Sequence, residues 1–234
     1  MVYDRFIDTN LGGIRERISL AAERAGRTPD GITLVAVSKT FSAETIRAAY
    51  DLGLRHFGEN RVQEWESKRK RLTQLDATWH LIGHLQGNKA RRAASLFHRI
   101  DSVDSLALAQ KLDAAAAEEG KRLRLLIEVH LGGEDTKSGV EEAELPALAE
   151  GIAGLDHVEL LGLMAIPPYS DEPKYVRPYF RKLRELRDHL NGRIEKPLSV
   201  LSMGMSHDFE IAIEEGATEV RIGTALFGER PRRT

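Results

Sequence analysis

The chain has 234 residues, of which 41% are hydrophobic and 30% are charged, and its formal net charge is −2. Since neither sign of charge dominates, this composition fits a globular protein and gives no support to nucleic-acid or anionic-membrane binding. The absence of cysteine excludes disulfides, thiolate nucleophiles and cysteine-based zinc sites.

The N-terminus and the apolar runs predict a cytoplasmic protein. The opening "MVYDRFIDTN" contains early acidic residues and no apolar signal-peptide segment. No apolar run approaches the roughly 20 residues that a membrane-spanning helix needs.

The first predicted element is an amphipathic helix. Its apolar residues recur at spacings of four and three, which places them on one helical face: Ile7, Leu11, Ile14, Ile18, Ala21 and Ala25. Gly12 and Gly13 lie inside this helix, and each costs about 1 kcal/mol of helix propensity. We therefore expect tertiary packing to hold the helix in place.

Short β-rich runs then alternate with helical patterns. The eight runs cover residues 32–38, 55–59, 79–83, 98–103, 124–131, 159–166, 198–203 and 219–223. Several carry apolar residues on both faces of the strand, as expected for parallel strands covered on both sides of the sheet. Eight strand–helix units predict a single (β/α)8 TIM barrel with an extra N-terminal helix, forming one domain over residues 1–234. The alternative, an open doubly wound sheet, would want a glycine-rich first turn, which "SKTFSAE" lacks.

Helix starts are predicted from residues that can cap an N-terminus. The candidates are Ser42, Asn60, Asn88, Asp104 or Ser105, and Ser206. A further helix is predicted over 140–152, with Pro146 near its first turns.

In barrels of this kind the chemistry lies at the C-terminal ends of the strands, and phosphate commonly binds the loops after strands seven and eight. Applied here, this rule selects Lys39, Asn60, His84, Asp101, Lys137, Met164, residues 202–206 and residues 221–224. His80 and His84 are four residues apart, but they straddle a strand end and no acid completes a ligand set, so no metal site is predicted.

The last two loops predict an anion site. Ser202, Met203, Gly204 and Ser206 stand directly before a predicted helix, where unpaired N–H groups and the helix dipole favour an anion. Gly223 and Thr224 add a second glycine and hydroxyl, so a phosphate monoester is the natural occupant. The plain alternative is that Ser206 is only an N-cap and that the glycines only form turns.

Lys39 follows the first strand into an apolar mouth, where desolvation favours the neutral amine. A neutral amine condenses with an aldehyde to a Schiff base, and pyridoxal 5′-phosphate (PLP) is a common phosphorylated aldehyde. Arg221 would then face the pyridine nitrogen, and its charge would make the ring a weaker electron sink than an aspartate would. The alternative is that Lys39 extends into solvent and that Arg221 pairs with an acid such as Glu59.

Eight motifs in order resemble the pyridoxal phosphate homeostasis family, single-domain relatives of the N-terminal barrel of alanine racemase. They are "VAVSKT", "FGEN", "WHLIGHLQGNKAR", "SVDS", "DTKSG", "GLMAI", "LSMGMSHDFEIAI" and "VRIGTALFG". The resemblance runs from about Val35 to Gly228. His84 departs from it, because a small or cyclic residue is expected there.

The resemblance implies a role for most of the selected residues. Lys39 would carry the Schiff base, and Arg221 would contact the ring nitrogen. Asn60 and Met164 would line the ring, and Lys137 would lie near the entrance. The phosphate would be held by Ser202, Ser206, Gly223 and Thr224.

The resemblance also implies a protein that binds, buffers and delivers PLP. Racemisation needs a second acid/base, which full racemases take from an additional C-terminal domain. The sequence continues only six residues past Gly228, so we expect no such domain and favour a carrier over an enzyme. The alternatives are a weak PLP-dependent amino-acid racemase and a cofactor-free Schiff-base aldolase. The expected partners are PLP and apo forms of PLP-dependent enzymes, and the chain is expected to be a monomer.

Overall fold

The computed structural model describes residues 2–132 and 138–229. Within those ranges, eight parallel strands form a closed ring in chain order, and β1 pairs with both β2 and β8. The strands are β1 (Thr33–Val37), β2 (His56–Glu59), β3 (Thr78–Leu81), β4 (Arg99–Val103), β5 (Leu123–Glu128), β6 (Val158–Met164), β7 (Val200–Ser202) and β8 (Glu219–Ile222). The predicted TIM barrel is therefore confirmed.

Helices follow the strands and cover the outside of the ring. They are α1 (Val2–Arg24), α2 (Ala43–Asp51), α3 (Val62–Arg69), α4 (Ala90–Leu96), α5 (Leu106–Glu118), α6 (Leu145–Ala153), α7 (Arg177–Asn191), α8 (Phe209–Glu214) and α9 (Thr224–Phe227). None of the described helices has the length and apolar character to span a membrane.

Helix α1 is the predicted extra N-terminal helix. It packs against α2, α8 and α9, and five of its six predicted apolar positions, from Ile7 to Ala21, are buried. The sixth, Ala25, lies just past the end of the helix and is half-buried. Packing thus compensates for the two glycines, as expected.

Two predicted caps are confirmed. The Ser42 hydroxyl accepts a hydrogen bond from the Thr45 N–H, and the Ser105 hydroxyl accepts one from the Leu108 N–H. Each side chain satisfies one of the N–H groups that a helix leaves without an internal acceptor.

Three predicted caps are wrong, because a turn separates the strand from its helix. Asn60, Asn88 and Ser206 lie too early in the chain, and the residues at the N-cap positions are Arg61, Lys89 and Asp208. The helix predicted over 140–152 also begins late, at Leu145. Pro146 fits its first turn, where a missing N–H costs nothing.

A buried polar network fills the barrel near the N-terminal ends of the strands. The Arg99 guanidinium donates to Asp101 at 2.6 and 2.8 Å and to Glu219 at 2.5 Å. Asp101 therefore lies inside the barrel, and its predicted place at the mouth is wrong. His80 Nδ1 lies 3.4 Å from Asp101 Oδ2, and His80 Nε2 lies 3.0 Å from His56 Nδ1. Since Arg99 donates to both carboxylates, this cluster is an ion-pair network across four strands.

Alanine substitutions at two glycines should have opposite effects on the stability of the protein. Gly12→Ala in α1 places a Cβ with nothing within 4 Å, so we expect stability to rise by about 0.5–1 kcal/mol from helix propensity alone. Gly162→Ala in β6 places a Cβ over the Val200 carbonyl, 2.6 Å from its carbon, so we expect a loss of about 3 kcal/mol or more. Urea unfolding followed by tryptophan fluorescence measures both. A destabilised Gly12→Ala would contradict the packing described for α1.

The histidine pair should make stability depend on pH. Burial, and then the electrostatic effect of the neighbouring His80, lowers the pKa of His56 from 6.5 to about 4, although the negative charge of Glu219 opposes the shift. Between pH 6.5 and 4 the unfolded chain therefore binds a proton that the folded chain does not, and stability falls as the pH falls. Between pH 7 and pH 5 the free energy of unfolding should fall in both proteins. We expect the fall in His56→Gln to be about 1 kcal/mol smaller than in the wild type, allowing for partial solvent exposure of His56. Urea unfolding at the two pH values measures this difference, and equal losses would rule out the assignment.

Candidate functional site

A cavity of about 540 Å³ opens at the C-terminal end of the barrel. Six of the residues predicted for the site line it together: Lys39, Asn60, Ser206, Arg221, Gly223 and Thr224. They come from the ends of β1, β2, β7 and β8, and the closed ring makes these ends neighbours around one opening. The predicted amine and the predicted anion loops therefore share one cavity.

The remaining predicted residues lie elsewhere. Met164, Ser202, Met203 and Gly204 are buried and are not part of the cavity wall. The His84 side chain is 53% exposed and lies 3.4 Å from Asp104, so it does not line the cavity. Lys137 lies outside the described residues.

Lys39 is half-buried, and its Nζ lies within 3.5 Å of Asn60 Oδ1, to which it donates.

The position of Asn60 depends on Gly83, a glycine in the loop between β3 and α4. A Cβ on Gly83 would overlap the Asn60 backbone oxygen and lie 2.8 Å from its Cγ. Asn60 thus faces the lysine and the cavity, which explains why it does not cap α3.

Arg221 is buried and has well-defined acceptors. Its Nη1 donates to the Ser202 carbonyl at 2.6 Å and to the Ser202 hydroxyl at 2.8 Å, and its Nη2 donates to the Ala165 carbonyl at 2.8 Å. Burial lowers the pKa of Arg221, and the negative charge of Glu219 opposes this. Ser202 therefore holds the arginine in place.

The alternative pairing of Arg221 with Glu59 is wrong. The Glu59 carboxylate instead accepts hydrogen bonds from the Ser38 hydroxyl and from Lys68. Arg221 is fixed by neutral oxygens, so its positive charge stays available at the base of the cavity.

The loops after β7 and β8 are joined by one hydrogen bond: the Ala225 N–H donates to the Ser206 hydroxyl at 3.2 Å. The first loop is shaped by Asp208, whose carboxylate accepts from the Met205 N–H at 2.5 Å. Gly204 has a positive φ of 92°, and a Cβ there would lie 2.9 Å from the Phe209 Cα. Gly204 is thus required for the loop to pack on α8, which is a structural role.

The sequence reasoning missed the apolar part of the wall. Val37, Phe41, Ile82 and Ile166 line the cavity together with His207. A signal was present, because Val37, Ile82 and Ile166 are each the last or next-to-last residue of a predicted strand. Apolar walls, one amine, hydroxyl groups and one buried guanidinium together suit a flat ring that carries an anionic group.

Comparisons with known proteins agree with this geometry. The family described as "Alanine racemase, N-terminal domain" matches residues 9–231. A relative from Aquifex aeolicus named "Pyridoxal phosphate homeostasis protein" is 51% identical over 94% of this chain and 96% of its own length. A protein of the same name from Escherichia coli K12 is 44% identical over 94% of this chain and 95% of its own length.

Solved structures show the same barrel. PipY from Synechococcus elongatus, solved with PLP bound, is 41% identical and superposes with a TM-score of 0.85, covering 95% of this chain and 100% of PipY. An alanine racemase from Clostridium difficile covers 99% of this chain and 61% of its own length, with a TM-score of 0.76. At 17% identity, this second likeness shows the fold alone.

Proposed function

The chain belongs to the pyridoxal phosphate homeostasis proteins of the alanine racemase N-terminal domain family, and from that premise we propose that it binds PLP and holds it as a Schiff base with Lys39. One observation carries the proposal. The Lys39 amine, the Ser206 and Thr224 hydroxyls and the Arg221 guanidinium line one cavity whose walls are otherwise largely apolar. These are the groups that an aldehyde, a phosphate and a pyridine ring each require.

The β7–α8 and β8–α9 loops suit the phosphate. Ser206 and Thr224 supply hydroxyl donors from two loops that are already hydrogen-bonded together. Gly223 has no side chain between them, and a Cβ there would lie 3.4 Å from the Val37 Cβ on the cavity wall. Helix α9 begins at Thr224, and a helix N-terminus favours an anion, as in other phosphate-binding loops.

Lys39 supplies the covalent link. Its neutral amine would add to the aldehyde carbon, and the loss of one water molecule would leave a C=N bond. Val37 and Phe41 line the same cavity as Lys39, and apolar surroundings favour the neutral form of an amine. Asn60 would hold the Lys39 Nζ on the side of the cavity where the two share a hydrogen bond.

Arg221 favours storage over turnover. PLP-dependent reactions of amino acids use the protonated pyridine as an electron sink. The Arg221 guanidinium, which donates to Ser202 and Ala165, has no acceptor for the N–H of a protonated ring nitrogen, and its positive charge disfavours that protonation. Facing this arginine, the ring would stay unprotonated, and the chain would keep the cofactor without transforming amino acids quickly.

We further propose that the chain acts as a monomer in the cytoplasm, where it would buffer PLP and release it to apo forms of PLP-dependent enzymes. Reversible imine chemistry supports this role. Addition of water returns the aldehyde and frees Lys39, whereas addition of another amine frees Lys39 by forming a new imine between the aldehyde carbon and that amine.

Lys39→Ala should separate the covalent link from the phosphate contacts. The wild-type protein should turn yellow with PLP, and borohydride should then fix the colour to a peptide that contains Lys39. In the variant the amine is gone while Ser206 and Thr224 remain, so we expect no fixed colour and a PLP affinity reduced by about 100-fold. Absorbance and peptide mapping provide the measurement. Fixation of the colour at another lysine in the wild type would show that the assignment of the Schiff base to Lys39 is wrong.

Ser206→Ala should weaken the phosphate contact and leave the amine intact. We expect a loss of about 10- to 150-fold in PLP affinity, the equivalent of one hydrogen bond to a charged group, and we expect the yellow colour to be retained at saturation. Ser95→Ala on α4 is the matched control, because its hydroxyl donates only to the Arg92 carbonyl on the surface. Unchanged affinity in Ser206→Ala would remove this residue from the phosphate site.

A further inference from the structure

Five polar residues behind Lys39 form one hydrogen-bonded cluster, here called the anchor network: Ser38, Thr40, Glu59, Glu64 and Lys68. The network lies between the end of β1, the end of β2 and helix α3. Its members are not part of the cavity wall. The proposed chemistry of Lys39 therefore does not use them directly.

The peptide group before Lys39 is held by Lys68. The Lys68 ammonium donates to the Ser38 carbonyl at 3.1 Å, and that carbonyl belongs to the peptide bond between Ser38 and Lys39. The ammonium also reaches both Glu59 oxygens, at 3.2 and 3.1 Å, and Glu64 at 2.6 Å. Three donors thus meet three acceptor groups, which saturates a lysine.

The peptide group after Lys39 is held by Glu64. The Thr40 N–H belongs to the bond between Lys39 and Thr40, and it donates to Glu64 Oε1 at 2.5 Å. Thr40 has φ 72°, and it is the one non-glycine with a positive φ in the part of the chain that the structure describes. A β-branched residue adopts this conformation at a cost of about 1–2 kcal/mol, so an outside contact must hold it there.

The network is largely sheltered from solvent. The side chain of Glu59 is fully buried, that of Lys68 is 12% exposed and that of Glu64 is 23% exposed. Burial pushes the pKa of Glu64 up, but the hydrogen bonds from Lys68 and from the Thr40 N–H outweigh it, so its pKa is lowered and the group stays an acceptor. Ser38 adds a hydrogen bond to Glu59 at 2.7 Å.

Holding both peptide planes fixes the backbone dihedral angles of Lys39, and with them the direction in which its side chain leaves the chain. We propose that Glu64 and Lys68 are positioning residues that aim the Lys39 amine at the aldehyde and so set the rate of covalent bond formation. This inference rests on the proposed function. It assigns a role to residues that touch neither the cofactor nor the cavity.

The test separates aiming from binding. The rate of covalent bond formation with PLP is measured by stopped-flow absorbance. Noncovalent affinity is measured by calorimetry with pyridoxine 5′-phosphate, which has an alcohol in place of the aldehyde and cannot form an imine. Glu64→Ala removes the acceptor for the Thr40 N–H, and Lys68→Met removes the contact with the Ser38 carbonyl.

We expect each variant to form the bond about 10-fold or more slowly and to bind pyridoxine 5′-phosphate within about 2-fold of the wild type, since small misplacements of a reacting group are costly. Glu64→Gln keeps an acceptor for the Thr40 N–H and should recover most of the rate. Glu66→Ala in α3, which removes a surface ion pair with Arg92, and Lys70→Met at the C-cap of α3 are matched controls, and both should match the wild type.

Each outcome decides the proposal. An unchanged rate in Glu64→Ala overturns it, and so does an equal loss of rate and of pyridoxine 5′-phosphate affinity, because that indicates only a structural role. Lys68→Met leaves Glu59 buried without its cation and risks unfolding, so the more exposed Glu64 variants carry the decision. A wild-type protein that forms no covalent bond overturns the proposed function itself and this inference with it, whereas a normal wild type with unaffected variants overturns this inference alone.

Discussion

Closure of the parallel ring is the constraint on which the site depends. The pairing of β1 with β8, which sets Ala36 opposite Ile222, joins strands from the two ends of the chain. The loop that carries Lys39 therefore emerges beside the loop that carries Gly223 and Thr224. An open sheet of the same strands would leave these loops on opposite edges. The hydrogen bonds of one strand pair thus bring the amine and the anion loops to a common opening.

Two buried arginines share the interior of this ring and are satisfied in different ways. Arg99 meets two carboxylates, Asp101 and Glu219, whereas within the described residues Arg221 donates its hydrogen bonds to neutral oxygens of Ser202 and Ala165. A buried charge without complete partners costs several kcal/mol. Arg99 is ion-paired and stabilises the barrel. Arg221 keeps its charge at the cavity, where a ligand can meet it. The two arginines therefore have different roles, the first structural and the second in ligand binding.

The sequence predicts the barrel because its signals are local and repeated. Each strand is a short apolar run and each helix has an apolar face, so eight units could be found in order. The roles of Asn60 and Ser206 could not be assigned from sequence, because a polar side chain in a strand–helix loop can either cap the helix or line the cavity. The packing around Gly83 and the hydrogen bond to Ala225 decide between them, and both are contacts distant in sequence.

The interior network was missed for a related reason. His56, Arg99 and Glu219 each stand at the first position of a strand, which in sequence looks like a solvated end. Only the closed ring reveals that these ends face one another inside the barrel. The polar residues in alternate strand positions, such as Arg99 and Asp101, were the available signal.

The contact between Gly83 and Asn60 limits how this barrel can diversify. Any side chain at position 83 must displace the β2–α3 turn and carry Asn60 away from the lysine. New ligand preferences are therefore reached more easily at Ile82 or Ile166, which line the cavity. Libraries that redesign specificity in this scaffold should vary those wall positions and keep the glycine fixed.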